Sequence, residues 1–254
     1  MSNKYVNFIS DEHLMMCIEN LHKSYLKAKN SISKKKFYKN KIDVLKLTFD
    51  SKFNDISEED LIQSEILRQI DKSINNSIGT FHEQILGGIN GFQIGNFSGF
   101  DIKAENESMF AEIKNKHNTM SSGLAEAVFQ KLARFADDHK RANCYLVQIL
   151  AKGSFNQKWS AIINGKEYSH SRVFKISGDK FYALLSGEED ALLQLYKCLP
   201  LAINDYLHSI EHDNSVSDNS AIDEIKAETE ISKRSILDQI TFENYRYYLD
   251  FDKL

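Results

Sequence analysis

Residues 99 to 118, Gly-Phe-Asp-Ile-Lys-Ala-Glu-Asn-Glu-Ser-Met-Phe-Ala-Glu-Ile-Lys-Asn-Lys-His-Asn, constrain this chain more than any other stretch. Their period-two alternation predicts a strand over 100–104, a polar turn at 105–107 and a second strand over 109–115. In the second strand Met109, Ala111 and Ile113 point one way, and Phe110, Glu112, Lys114 and Lys116 the other. Asp101 shares a face of the first strand with Lys103. Closing the hairpin brings the carboxylate of Asp101 beside that of Glu112, with the ammonium of Lys114 one pleat further on. Two acids and a lysine so placed suit metal-dependent phosphodiester hydrolysis. The acids supply the oxygen ligands that Mg²⁺ prefers, and a bound metal activates water and neutralises charge on the phosphoryl group. The lysine orients the attacking water and adds positive charge.

Glu-x-Lys alone is a weak pattern, and Glu224-Ile225-Lys226 repeats it in a polar stretch without strand alternation. The copy at 112–114 differs in its setting, with a strand carrying Asp101 before it and a helix soon after. The competing interpretation is a surface hairpin whose Glu and Lys pair across solvent.

Asp101, ten intervening residues and Glu112-Ile113-Lys114 resemble the PD-(D/E)-x-K nuclease superfamily. The run Phe-Ala-Glu-Ile-Lys-Asn-Lys-His-Asn-Thr at 110–119 is similar to type II restriction endonucleases of the SinI/AvaII kind, which recognise GGNCC or GGWCC. Further echoes are Phe81-His82-Glu83-Gln84-Ile85-Leu86-Gly87-Gly88 and Asp179-Lys180-Phe181-Tyr182-Ala183-Leu184-Leu185-Ser186-Gly187, so the likeness covers about residues 80–208. Phe100 stands where the motif has proline. The resemblance implies an α/β fold with a restriction-endonuclease-like core, a mixed central sheet flanked by helices. Read in chain order, the sequence divides into a helical N-terminal region at 1–76, the nuclease core at 77–208, and a polar connection with an aromatic C-terminal segment at 209–254. On the family side, the resemblance carries further expectations. It implies a Mg²⁺-dependent cleaver of double-stranded DNA that acts as a homodimer, leaves 5′-phosphates and works beside a cognate DNA methyltransferase. On that pattern Asp101 and Glu112 bind the metal with the backbone carbonyl of Ile113. Glu83, a helix carboxylate before the first strand, is an accessory ligand or an ordinary surface acid.

The net charge of −4 argues at first against a nucleic-acid partner, but the distribution is uneven. Residues 112–175 hold 11 Lys and Arg against 5 Asp and Glu, a balance of +6, whereas residues 188–254 hold 6 against 15, or −9. A basic middle can face phosphates while an acidic tail stays clear of them. Cys17, Cys144 and Cys198 are odd in number, far apart and in apolar settings, which predicts reduced thiols in a cytoplasm. No apolar run reaches the length of a membrane span, and Met-Ser-Asn-Lys-Tyr opens no signal-peptide region.

In chain order, Ser10 caps a helix over 10–29 with Leu14, Ile18, Leu21 and Tyr25 as its stripe. Lys23 to Lys46 contains nine lysines and one acid, Asp43. That is either a solvated face or a non-specific DNA contact. Ser57 to Asp60 opens a helix with Ile62, Ile66, Leu67, Ile70 and Ile74 inward, and a further short helix over 77–86 stops at Gly87-Gly88. Residues 91–95 form the first core strand and turn through 96–99. After the loop 117–122 comes an amphipathic helix bearing Leu124, Val128, Leu132 and Phe135. The apolar run 142–151 is a buried strand. Residues 159–163 and 173–176 are strands, the first of them ending in an Asn164-Gly165 turn, and 180–185 is a third. A helix over 188–208 turns Leu192, Leu195, Tyr196, Leu199 and Ile203 inward, and 209–235 is a flexible or weakly helical link.

Lys116, His117, Asn118 and Ser122 lie on the loop that would face DNA, with Lys131 off the apolar stripe of the following helix. Lys158, His170 and Arg172 sit on the rims of the later strands, and Arg is the usual bidentate partner of guanine. For any one of these, an ordinary polar loop residue is the commoner explanation. His117-Asn118 lacks the partners of a His-metal nuclease. No Gly-x-x-x-x-Gly-Lys-Ser/Thr loop occurs, so DNA would be cut without ATP. Three other functions stay open: a repair or phage-defence nuclease, a non-catalytic DNA-binding protein, and a helical interaction protein.

Overall fold

The computed structural model describes residues 3–30, 32–95, 99–118, 120–210 and 220–245. Its strands are β1 (Phe92–Ile94), β2 (Ile102–Ala104), β3 (Met109–Lys116), β4 (Asn143–Leu150), β5 (Asn156–Ile163) and β6 (Lys166–Ser177). Its helices are α1 (Asp11–Asn30), α2 (Lys34–Lys39), α3 (Val44–Asn54), α4 (Glu58–Gly87), α5 (Ser122–Asp138), α6 (Gly178–Ser186), α7 (Ala191–Ser209), α8 (Ser220–Ser232) and α9 (Ile236–Tyr245). They fall into two compact units, residues 1–21 with 77–212 and residues 22–76 with 213–254.

The first unit is built on a six-stranded mixed sheet in the order β1-β2-β3-β4-β6-β5. β1, β2 and β3 form an antiparallel meander, β3, β4 and β6 run parallel, and β5 returns antiparallel beside β6. Joining parallel β3 and β4 requires a crossover, which α5 provides. The alternation in β3 sorts its side chains onto two cores. Ala111 and Ile113 join Tyr145, Val147 and Ile149 of β4 under Leu14, Phe81, Ile85, Phe181, Tyr182 and Leu195. Phe110 joins Cys144 and Leu146 under Val128, Phe129, Leu132 and Ala136 of α5. Burying a Leu or Phe in such a layer stabilises by roughly 1.5–3 kcal/mol. Glu112 and Lys114 share the α5 side of the sheet with Phe110.

The β5–β6 hairpin turns at Asn164 (φ 53°) and Gly165 (φ 77°), two left-handed positions in sequence, as the Asn-Gly pair requires. Ser10 caps α1 through its Oγ, which accepts from His13 N–H at 3.1 Å. Ser121 caps α5 in the same way, accepting from Leu124 N–H at 3.4 Å.

The second unit is helical. Phe37, Ile42, Val44, Leu47, Leu61, Ile62 and Ile66 pack with Ala221, Ile225 and Ile240. Asn244 Oδ1 accepts from the Ile42 N–H at 2.9 Å across the same core.

Several expectations are corrected. Residues 180–185 belong to helix α6, not a strand: Phe181, Tyr182 and Leu185 are buried at helical spacing, Asp179 lies in the first turn, and Gly187 ends the helix at φ 76°. Residues 58–87 are one continuous helix, α4. Asn75-Asn76-Ser77 holds neither Pro nor Gly, and Ile66, Ile70, Ile74 and Ile78 carry the helical repeat through it. Leu67 and Leu124 are exposed, as are Tyr196 (72%) and Ile203 (39%). In α7 the buried stripe is instead Ala191, Leu195, Ala202 and Tyr206. Strand β2 is shorter than expected. Asp101 precedes it but still bonds to β3, its N–H donating to the Ala111 carbonyl at 3.0 Å. Within the expected link at 209–235, residues 220–232 form α8. Residues 211–219 of that link, the turn residues 96–98, Thr119 and the apolar and aromatic residues Tyr247, Tyr248, Leu249 and Phe251 lie outside the described residues. Cys17 and Cys144 are buried, Cys198 is half-buried, and all three thiols are free.

Candidate active site

Asp101 and Glu112 meet at the open side of β3, where the antiparallel meander joins the parallel part of the sheet. The Oδ2 of Asp101 accepts from the backbone N–H of Ile113 at 2.6 Å, which fixes this carboxylate against the strand between Glu112 and Lys114. The Ile113 side chain is buried in the opposite core, so only its backbone serves the site. Lys114 Nζ donates to Glu112 Oε1 at 2.8 Å, and Lys131 Nζ donates to Oε2 at 2.7 Å. Lys131 reaches in from α5, rests 4.4 Å from the centroid of Phe100 and also donates to the Gly99 carbonyl.

Electrostatics divides the acids. Burial pushes the Asp101 carboxyl up, with repulsion from Glu112 added, although the Ile113 N–H works against the rise. Burial would raise Glu112 too, but hydrogen bonds from Lys114 and Lys131 outweigh it and hold the group below its ordinary value. Glu83, near the end of α4, is pushed up to about 7 by burial first, then by Asp101 and Glu112, with Lys114 opposing. Burial first, and repulsion from neighbouring carboxylates after it, thus raise two of the three acids, while the two lysines hold the third down.

A bound cation would offset that repulsion between carboxylates. The donors are hard carboxylate oxygens, suited to an ion that keeps several waters and takes one or two carboxylates. Among the described residues no group of three or more His, Cys, Asp or Glu is close enough to hold a metal unaided. A cation here could take ligands only from Asp101 and Glu112 together with backbone, water and substrate oxygens, an open set rather than a closed cage. Glu83 stands near enough to feel both acids but does not close a three-acid cluster.

The expected DNA-contacting residues fall into separate places. Lys116, His117 and Asn118 follow Lys114 at the C-terminal end of β3, and Ser122 opens α5 nearby. The His117 N–H donates to the Leu150 carbonyl at 3.1 Å. Its carbonyl accepts from Gln148 Nε2 at 3.3 Å. Gln148 is 5% exposed and stands in register with Lys114. In the sequence its only signal is a lone amide within the apolar run Cys144 to Leu150. Lys131, expected to contact DNA, is placed inside the acid cluster. Lys158 is exposed on the edge strand β5. His170 and Arg172 do not join the cluster: they pair with Asp137 at 3.1 and 3.8 Å, and Arg172 Nη1 donates to the His139 carbonyl at 3.1 Å. Val173 is level with Cys144 and Phe110, so Arg172 sits at the end of the sheet opposite Lys116. His82 is also apart from the acids. Its Nδ1 lies 2.9 Å from the Tyr182 hydroxyl, and burial lowers it to about 4, leaving a neutral ring.

A mixed sheet flanked by helices, with an acid pair and a lysine on adjoining strands, defines a restriction-endonuclease-like core. The profile of the Eco47II restriction endonuclease family matches residues 6–208, and the chain belongs to that family. It is 38% identical over 256 residues to the type II restriction enzyme Sau96I of Staphylococcus aureus, covering 96% of this chain and 97% of the relative. It is 33% identical over 213 residues to the type II restriction enzyme Eco47II of Escherichia coli, covering 78% and 86% respectively. The protein is thus a site-specific endonuclease of the type II restriction class, acting on DNA. Among the described residues no helix is long and apolar enough to cross a membrane.

Proposed function

We propose that the chain hydrolyses phosphodiester bonds of double-stranded DNA in a Mg²⁺-dependent reaction, at a short palindromic GGNCC-like site, leaving 5′-phosphate and 3′-hydroxyl ends. The observation that carries this is the junction itself, with Asp101 pinned by the Ile113 N–H and Glu112 between two ammonium groups. Asp101 and Glu112 would hold the ion, with the Ile113 carbonyl and Glu83 as accessory donors. A bound Mg²⁺ supplies charge neutralisation at the phosphate and lowers the pKa of coordinated water.

The protein groups do the rest. Lys114 directs a lone pair of the attacking water at phosphorus. The P–O3′ bond breaks as the new P–O bond forms, the attacking water gives up a proton to solvent, and the leaving 3′-oxygen takes one up from solvent. The ammonium groups of Lys114 and Lys131 offset the charge gathering on the non-bridging oxygens. Lys116, His117, Asn118 and Ser122 continue from the site and meet the backbone or base edges, with the positive end of α5 favouring phosphate. Lys158, His170 and Arg172 are assigned to DNA contact further along the duplex.

Cutting both strands of a palindrome is most simply done by two sites related by a twofold axis, which favours a homodimer. A cognate methyltransferase would protect the host's own copies of the site. The free thiols suit a cytoplasmic setting. The GGNCC-like site rests on the likeness of residues 80–208 to the SinI/AvaII kind of enzyme. Digestion of a sequenced plasmid with Mg²⁺, with EDTA and without ATP tests the whole reading. Discrete bands in Mg²⁺ alone, with ends mapping to GGNCC, are expected; random nicking or activity in EDTA would refute it.

A further inference from the structure

In this structure both oxygens of Glu112 are already taken, one by each lysine. A divalent ion approaching either oxygen of Glu112 meets an ammonium group already bonded there, and has to share that oxygen against charge repulsion or displace the lysine. The two lysines are not equivalent in their freedom to go. Lys114 is two residues away on the same strand and 25% exposed. Lys131 comes from a different element, is 36% exposed and has fallback contacts in the Gly99 carbonyl and the Phe100 ring. Those fallbacks belong to the two residues that lead directly into Asp101. Lys131 therefore bridges the two halves of the acid pair, joining the backbone before Asp101 to the carboxylate of Glu112.

We infer that Lys131 is a positioning residue that serves as an internal counter-cation, holding Asp101 and Glu112 together before the metal arrives and competing with it for Glu112. The inference rests on the metal-site reading given above. A cation occupying a ligand oxygen lowers the apparent affinity for a divalent ion, because its displacement is part of the binding step. The same contact keeps two acids from splaying apart under their mutual repulsion. Loss of the charge thus leaves a more negative site that takes the ion more readily, whatever happens to turnover.

The test is calorimetric titration of Mg²⁺ into the full chain without DNA, together with duplex binding in EDTA over a range of salt. Lys131→Gln is expected to tighten Mg²⁺ binding about tenfold, equivalent to 1.4 kcal/mol. Lys131→Arg, which keeps the charge, and Lys140→Gln, which removes an exposed charge elsewhere, are expected to match the parent. Unchanged or weaker Mg²⁺ binding in Lys131→Gln, with lower DNA affinity and a salt slope reduced by about one, would make Lys131 a phosphate contact only and overturn the inference. If the parent binds no Mg²⁺ that Asp101→Asn abolishes, the metal-site reading itself fails, which is a different result from an unresponsive Lys131.

Discussion

Replacing one glycine by alanine is expected to have opposite effects at two positions of this fold. Gly178 opens α6 directly against β4. A Cβ built there would lie 2.7 Å from the Ile149 carbonyl oxygen and 2.9 Å from the Ile149 Cα, closer than real Cβ atoms approach backbone. Ile149 cannot retreat easily, because the neighbouring pair Gln148 and Ser177 joins β4 to β6 at that level. The strain must be relieved by moving α6, which carries Phe181, Tyr182 and Leu185 into the core. Overpacking of this kind costs about 1–3 kcal/mol, and the helix-propensity gain of Ala is small at a first helical position. Gly178→Ala should therefore destabilise by about 2 kcal/mol, or roughly 4–8 °C in Tm for a chain of this size. Gly79, within α4, has nothing within 4 Å of its would-be Cβ. There the same substitution should stabilise by about 0.5–1 kcal/mol through reduced backbone entropy in the unfolded chain. Urea denaturation followed by circular dichroism measures both. Equal effects, or a stabilised Gly178→Ala, would refute the close approach of α6 to β4.

Lys114→Ala should retain DNA affinity within a few fold and lose cleavage by 10²-fold or more, checked by gel shift in EDTA beside single-turnover cleavage; parental rates would contradict the assigned role. His82 has a folded-state value of about 4 against an ordinary 6.5. The unfolded chain therefore takes up the proton first as pH falls, and stability present above pH 6.5 is lost between 6.5 and 4. The loss approaches 3 kcal/mol at the lower end. His82→Gln should flatten that part of the stability profile in urea titrations at pH 7 and 4.5, and an identical pH slope in both proteins would refute the buried neutral ring.

The chemistry was the most legible part of the sequence, and there is a physical reason. Period-two alternation fixes side-chain direction with no knowledge of partners, so Glu112 and Lys114 on one face and Ile113 on the other could be read directly. Their meeting with Asp101 needed only a local hairpin. The Phe181 to Leu185 run misled because short apolar runs suit a buried strand or a buried helix equally. The punctuation that decides between them is Asp179 before the run and Gly187 after it, a first-turn acid and a left-handed stop at φ 76°. The Lys131 contact to Glu112 was beyond sequence reasoning, since it joins a helix to a strand 19 residues away and depends on how α5 seats over the sheet. Gln148 was readable as an anomaly, though its bond to the His117 carbonyl was not.

The helical unit draws its core from both ends of the chain. Ile42 is joined to Asn244 across 202 residues, and Phe37 and Ile62 share a core with Ala221, Ile225 and Ile240. During synthesis the early helices leave the ribosome long before their partners exist, and their apolar faces stay uncovered until the last turns of polypeptide emerge. Contacts so far apart in sequence carry a large loop-closure cost before they form. A chain cut short after residue 208, where the family match ends, would carry every residue of the acid cluster and still leave that half of the molecule unfinished.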